Sequence, residues 1–313
     1  MADVRASTSS APAPQYTRGD APSLVSFKTV SIEGVITAVR HSPSKQCASD
    51  PLPTWLLKEA ITILTPYITT ILNSLITEGH YPRTWRNAIV TPLLKKAGLD
   101  ECSPSSYRQV LILPFLSKVL ERIVSRQLIS YLNEFHLLPD AHSAYRRCHS
   151  METAVLKVVS DIIDAIANGK ITLLSLLDLT AAFDTVDRDS LLRRLEVTYG
   201  FNGAVLQLLQ SYVEDLMQSV HLNGSISRPR HVICEVPPGS VLGPLLFTLY
   251  MADIGIIVQS FGLKHHIYAD NNQIYSSCFP TECASLKIKV IDKWMATNRL
   301  MLNLSKSEFL WFS

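Results

Sequence analysis

Apolar residues recur three and four apart between residues 27 and 79, where Trp55, Leu56, Leu57, Ile61, Leu64, Ile68, Ile71, Leu72 and Leu75 predict helix. Pro66 falls inside that run and should break or kink it. Residues 88–94 read as a short strand, and Lys95 and Lys96 follow directly. The clearest helix spans residues 116–135, with Leu116, Val119, Leu120, Ile123, Val124, Leu128, Tyr131, Leu132 and Phe135 on one face and Lys118, Arg122 and Arg126 on the other. A further helix is predicted from about residue 150 to 167. Residues 171–177 are a nearly continuous apolar run that ends in Asp178. Such a run predicts a strand covered on both faces, with its acid at the rim of a sheet. After Asp187 a helix packs through Leu191, Leu192 and Leu195. Residues 213–232 read as strand-rich, turned by Asn223-Gly224. Residues 236–244 form a loop that leads into a helix, and the stretch 287–304 is helical in its first part.

A hairpin at residues 266–275 organises the rest. Tyr268 ends one strand and Gln273-Ile274-Tyr275 begin the next, which leaves Asp270, Asn271 and Asn272 between them. These residue types tolerate turn geometry. A carboxylate at such a tip has few neighbours to shield it and can bind a cation, although Asp-Asn-Asn also makes an ordinary surface turn.

Composition narrows the class. The chain has 313 residues, 47% of them hydrophobic and 18% charged, enough to bury a sizeable core in one or two domains. A net charge of +2 hides an uneven spread, because residues 81–150 carry ten Lys/Arg against five Asp/Glu. A basic region beside a carboxylate-bearing one suits nucleic acid or a polyphosphate ligand. The six cysteines include no Cys-x-x-Cys pair, and the spacing of Cys278, Cys283, His265 and His266 is wrong for a zinc finger. Reduced thiols and a start without an apolar leader predict an intracellular protein, in the cytoplasm or nucleus and not secreted. Asp253 interrupts the long apolar stretch 241–258, which argues for a buried helix and against a membrane span.

Asp178 and Asp270 each follow a predicted strand and lie 92 positions apart. Carboxylates that converge at one sheet rim can hold two magnesium ions for phosphoryl transfer. Residues 177–187 (LDLTAAFDTVD), 237–247 (PPGSVLGPLLF) and Tyr268-Ala269-Asp270 resemble the successive palm motifs of reverse transcriptases of non-LTR (LINE-type) retrotransposons. The likeness is greatest to the chicken-repeat and jockey-like clades. Residues 85–96, 106–108, 116–122 and 143–150 resemble their fingers, and 298–308 resemble the motif that closes the palm. The resemblance runs from about residue 30 to the end, in the family's order.

The resemblance implies an α+β right-hand polymerase. It would have a disordered segment at 1–25, a helical extension at 26–80, and fingers and palm at 81–313 that stop before the thumb. It implies an RNA-directed DNA polymerase that acts on an RNA template, a DNA primer and dNTPs, with two Mg2+ ions that Mn2+ could replace and no specific protein partner. Asp178 and Asp270 would be the metal ligands, with Asn271 beside them in the catalytic turn. Phe183 would be the gate against a ribose 2′-hydroxyl, where a core Phe is equally compatible. Arg108 and Arg146 would lie near the triphosphate. Gly239 would let the backbone approach the template or nucleotide. Lys306 would lie near the triphosphate as a proton donor to pyrophosphate.

The chain departs from the family's pattern. The second acid of Tyr-Ala-Asp-Asp is Asn271, whose amide oxygen can coordinate magnesium without supplying charge. The usual Pro-Gln-Gly is Pro237-Pro238-Gly239, a glycine before it is Glu235, and the Gln expected before Ser143 is His142. These losses predict an impaired copy. The alternative is a catalytically dead remnant that binds RNA or has no function.

Overall fold

Strand β3 (Ile171–Leu177) is the centre from which the first part of the fold is built. The structure, a computed structural model, describes residues 22–313 apart from 46, 48, 140, 142, 144–148, 181, 223, 233–235, 238, 269–270, 280–293 and 304, with scattered positions before 22. At 105, 109, 268 and 271 it describes the backbone alone. The chain divides into two compact units, one of Met1–Gln15, Leu137–Leu191 and Pro244–Ser313, the other of Tyr16–His136 and Leu192–Gly243. Both mix helix and sheet, consistent with the α+β class.

In the first unit, β7 (Lys264–Tyr268), β8 (Asn271–Cys278), β3 and β9 (Glu308–Phe312) form an antiparallel sheet in that order. Helix α5 (Met151–Ala167) packs on it, with Val158 and Ile162 against Leu174 and Tyr275. Ser150 starts that helix with a capping box shared with Thr153. The apolar stretch expected as one buried helix forms two, α8 (Gly243–Met251) and α9 (Asp253–Ser260), divided at Ala252. Leu246, Phe247, Leu249, Tyr250 and Met251 are fully buried, so protein surroundings account for the hydropathy of α8.

The reading of the hairpin needs correction. Tyr268 pairs with Asn271, and Ile267 with Asn272, so both asparagines belong to β8 and only two positions separate the strands. Three polar residues in a row suggested a longer turn, but backbone pairing is indifferent to side-chain polarity, and Asn272 is buried within the sheet. Residues 269 and 270 lie outside the described residues. So does most of the helix expected in 287–304, of which Trp294 to Thr297 are helical.

In the second unit, β1 (Asn87–Leu94) pairs antiparallel with β2 (Tyr107–Ile112) and parallel with β4 (Met217–Leu222). Pairing with β4 ends at Val90, so Pro92, which has no N–H to give, lies where only β2 is alongside. Strands β5 (Ser225–Ile226) and β6 (Arg230–His231) both pair with β4, and Gly224 turns the expected hairpin with φ of +77°. The N-terminal helical region opens with α1 (Ile32–Arg40), capped by the Ser31 hydroxyl. Its longer run divides at Ala60 and not at Pro66, giving α2 (Thr54–Glu59) and α3 (Ile61–Glu78). Pro66 sits in the second turn of α3, where it withholds one N–H from the Thr62 carbonyl and leaves the rest of the ladder intact. Helix α4 (Phe115–Glu134) matches its expected span, and the Asp50 carboxylate receives the Phe115 N–H at its start, 2.8 Å away. Beyond α6 (Arg188–Val197), residues 203–213 form helix α7 (Gly203–Val213), a stretch for which the apolar pattern predicts no element.

Candidate functional site

Asp178 is the residue that follows β3, and β3 pairs with β8 so that Leu177 faces Asn272. One step further along the same antiparallel register, Asp178 and Asn271 stand at one end of the sheet. Sequence alone could not demonstrate this convergence. Asp270 precedes β8 by one position and lies outside the described residues, as does the side chain of Asn271.

The segment 301–306 folds back on Asp178. Thr180 donates its N–H to the Met301 carbonyl at 2.9 Å, Asn303 donates its N–H to the Asp178 carbonyl at 2.8 Å, and Leu179 bridges Leu302. This pairing brings two donors to one carboxylate oxygen. Asn303 Nδ2 lies 3.3 Å from Asp178 Oδ2, and Lys306 Nζ lies 3.3 Å from the same atom. The Asp178 side chain is 18% exposed and that of Lys306 69%, so solvent reaches the pair and weakens it. Lys306, expected near the triphosphate, is thus ion-paired with Asp178. Asn303 had been read only as part of the closing motif; its position three residues before Lys306 was the signal.

Phe183 opens a short 3-10 turn, Phe183–Thr185, five residues beyond Asp178. Its half-buried ring stacks on Phe247 of α8, with centroids 4.7 Å apart and planes inclined by 33°. A ring held on one side by another ring has little freedom to swing, which suits a steric wall.

Two predicted residues lie in the other unit. Arg108 is exposed on β2, opposite Leu93. Gly239 has φ of +77°, a conformation that L side chains rarely adopt, and a Cβ there would come within 3.3 Å of the Leu111 carbonyl oxygen. Ser240 follows it, receiving the Gly243 N–H on its hydroxyl at 2.9 Å and so starting α8. Arg146 lies outside the described residues, as do His142, Glu235 and Pro238.

Glu121 of α4 went unnoticed as more than a helix charge. It is fully buried, and its Oε2 accepts the N–H groups of Val241 and Leu242 at 2.6 and 3.1 Å. Burial pushes its pKa up to about 7, against the pull of those two amides, Lys118 and the Tyr212 hydroxyl. The signal was positional, because Glu121 falls on the buried stripe of Ser117, Val124 and Leu128.

The Asp178 carboxylate is an oxygen donor of the kind that suits a hard divalent cation. Among the described residues no three His, Cys, Asp or Glu side chains cluster.

Residues 94–311 match the reverse transcriptase (RNA-dependent DNA polymerase) family. The chain is 30% identical over 229 residues to a probable RNA-directed DNA polymerase from transposon BS of Drosophila melanogaster, covering 73% of this chain and 25% of that protein. It is also 30% identical over 228 residues to the corresponding protein of transposon X-element, with the same coverage. The RNA-directed DNA polymerase from mobile element jockey is 25% identical over 232 residues, again 73% of this chain and 25% of its own. The chain thus spans about a quarter of the length of the curated relatives it matches. On a match that covers well over half of its residues, the chain belongs to the reverse transcriptase family, in its LINE-type retrotransposon branch.

Proposed function

We propose that this chain is the fingers and palm of an RNA-directed DNA polymerase that adds dNTPs to a DNA primer on an RNA template. The observation that carries this reading is the β3–β8 register, which brings Asp178 and Asn271 to one end of the sheet. On this reading the metal ligands are the carboxylates of Asp178 and Asp270, with the Asn271 amide oxygen beside them. Two divalent ions held there would supply charge stabilisation to the attacking and leaving oxygens. Phe183, backed by Phe247, blocks the space a ribose 2′-hydroxyl would need. Arg108 and Arg146 grip triphosphate oxygens. Gly239 admits the template or nucleotide close to the backbone. Lys306, ion-paired with Asp178 in the free chain, donates a proton from Nζ to the pyrophosphate as it leaves.

The test is primer extension on a homopolymeric RNA template, in magnesium and in manganese, with Asp178→Ala as the blank. Incorporation that Asp178→Ala abolishes supports the reading. No incorporation by the protein or by Asn271→Asp, under either metal, overturns it.

A second reading is a non-catalytic RNA-binding remnant, favoured by the uncharged Asn271 and by the net +5 of residues 81–150. It expects salt-dependent RNA binding that survives Asp178→Ala. Absence of binding at low salt would refute it.

A further inference from the structure

A carboxylate buried away from water is costly unless something needs it there. Glu121 carries that cost in the middle of α4, on a stripe otherwise made of Ser117, Val124 and Leu128. One of its oxygens, Oε1, has no partner in hydrogen-bond geometry. The other, Oε2, is where the polar contacts converge. It takes the Val241 N–H at 2.6 Å and the Leu242 N–H at 3.1 Å, and the Tyr212 hydroxyl stands at 3.5 Å.

Those two amides sit directly after Gly239-Ser240, and the same short turn is held at three further points. Ser240 donates its N–H to the Pro237 carbonyl at 3.2 Å, and its hydroxyl receives the Gly243 N–H. Gly239 is pressed towards the Leu111 carbonyl in a left-handed conformation. A Cβ on Gly243 would come within 2.6 Å of Ser240 Oγ and 3.1 Å of the Pro237 carbonyl, so the turn has no slack there. Glu121 is the one ionisable side chain, among the described residues, that holds this turn's backbone.

We infer that Glu121 is a positioning residue, whose buried carboxylate takes the Val241 and Leu242 amides and so sets the backbone at Gly239 and Ser240 for an incoming nucleotide. It touches neither substrate nor metal; it acts through the turn. The inference rests on the polymerase reading for the ligand and on this unit's own geometry for the contact.

The groups that face Glu121 make it the one to titrate near neutrality. Lys118 comes from its own helix, and its pKa is lowered by burial. Tyr81 and Tyr212 face it from outside α4, and burial, with the Glu121 charge behind it, raises both well above the usual tyrosine range. Both phenols therefore stay neutral wherever the protein is folded. With Glu121 at about 7, amide protons that point at its Oε2 will sense that titration.

The test has a spectroscopic arm and a kinetic arm. In the full chain, the amide resonances of Val241 and Leu242 are followed from pH 5.5 to 8.5, in the protein as it is and in Glu121→Gln. Expected are two resonances that titrate together in the first and stay flat in the second. Glu121→Ala should lower the exchange protection of both amides about tenfold, the scale of leaving buried donors unpaired. Glu121→Gln, which keeps an acceptor oxygen, should retain that protection. In primer extension, the dNTP KM should rise in Glu121→Ala by a similar factor, with kcat less affected, and return towards its original value in Glu121→Gln. Val241 and Leu242 resonances that ignore pH, or protection lost without any change in KM, would overturn the inference. Should Glu121→Ala not fold, the comparison with Glu121→Gln decides. If neither the starting protein nor Asn271→Asp extends a primer, the polymerase reading fails, and the resonances then decide alone whether Glu121 holds the turn.

Discussion

Tyr275→Phe removes one oxygen from the bond that ties β8 to α5. The Tyr275 hydroxyl donates to Asp161 Oδ2 at 2.6 Å, while Lys157 reaches Oδ1 at 2.9 Å and Lys264 reaches Oδ2 at 3.4 Å. Burial alone would raise the Asp161 pKa, but the Tyr275 hydrogen bond and then the two lysines outweigh it. The pKa falls from an ordinary 3.8 to about 2. That difference corresponds to about 2 kcal/mol of folding stability. Both lysines are more than half exposed, so solvent discounts their share and the short bond to a charged oxygen carries most of it. The sign follows from the depressed pKa. The stability is present above 3.8, the unfolded value, and is lost as pH falls through about 2. Urea unfolding at pH 7 should place Tyr275→Phe about 1.5 kcal/mol below the parent, and the gap should shrink below about 1 kcal/mol near pH 2. In an Asp161→Asn background the same substitution should cost under about 1 kcal/mol at either pH. A cost that is independent of pH, or as large next to the amide as next to the acid, would refute the charge-assisted account.

Three further outcomes are expected. Glu121 has a raised pKa, so its contribution is favourable below 4.5 and is lost as pH rises through about 7. Urea melts should show Glu121→Gln gaining on the parent by about 3 kcal/mol between pH 4.5 and pH 8.5, and a constant difference would contradict this. Asn271→Asp restores a charge at the sheet end and should lower the magnesium concentration for half-maximal extension by about tenfold; titration in a primer-extension assay checks it. Phe183→Val shortens the wall supported by Phe247 and should cut discrimination against ribonucleotides by about tenfold or more, read as the ratio of kcat/KM for dNTP and rNTP.

Period and composition located the strands that matter here. The apolar run of β3, the stripe of α4 and the turn at Gly224 were all legible, because each rests on local chemistry. Pro66 misled, since a proline's cost depends on which carbonyl it deprives, and in the second turn of α3 it is tolerated. The hairpin misled for a related reason: Asn271 and Asn272 look like turn residues, yet antiparallel pairing needs only their backbone groups. Tertiary contacts were the least legible. Nothing in the local sequence announces that Asn303 and Lys306 converge on Asp178, or that Glu121 meets amides 120 and 121 residues away. Asp178 was legible as the acid after a buried apolar run and as one of two carboxylates able to converge, but whether they converge was not.

The pairing of Tyr268 with Asn271 has an evolutionary consequence. The ladder is made by main-chain groups, so it forms equally well around asparagine or aspartate. Those two residues differ by a single transition in the first base of the codon. An insertion or deletion between β7 and β8 would be another matter, because a one-residue slip turns every side chain of a strand to the opposite face. At this hairpin, point substitution leaves the architecture standing and can be undone by one reverse mutation. A change of length cannot be undone so simply, and so the spacing is the trait whose loss would mark the lineage as past recovery.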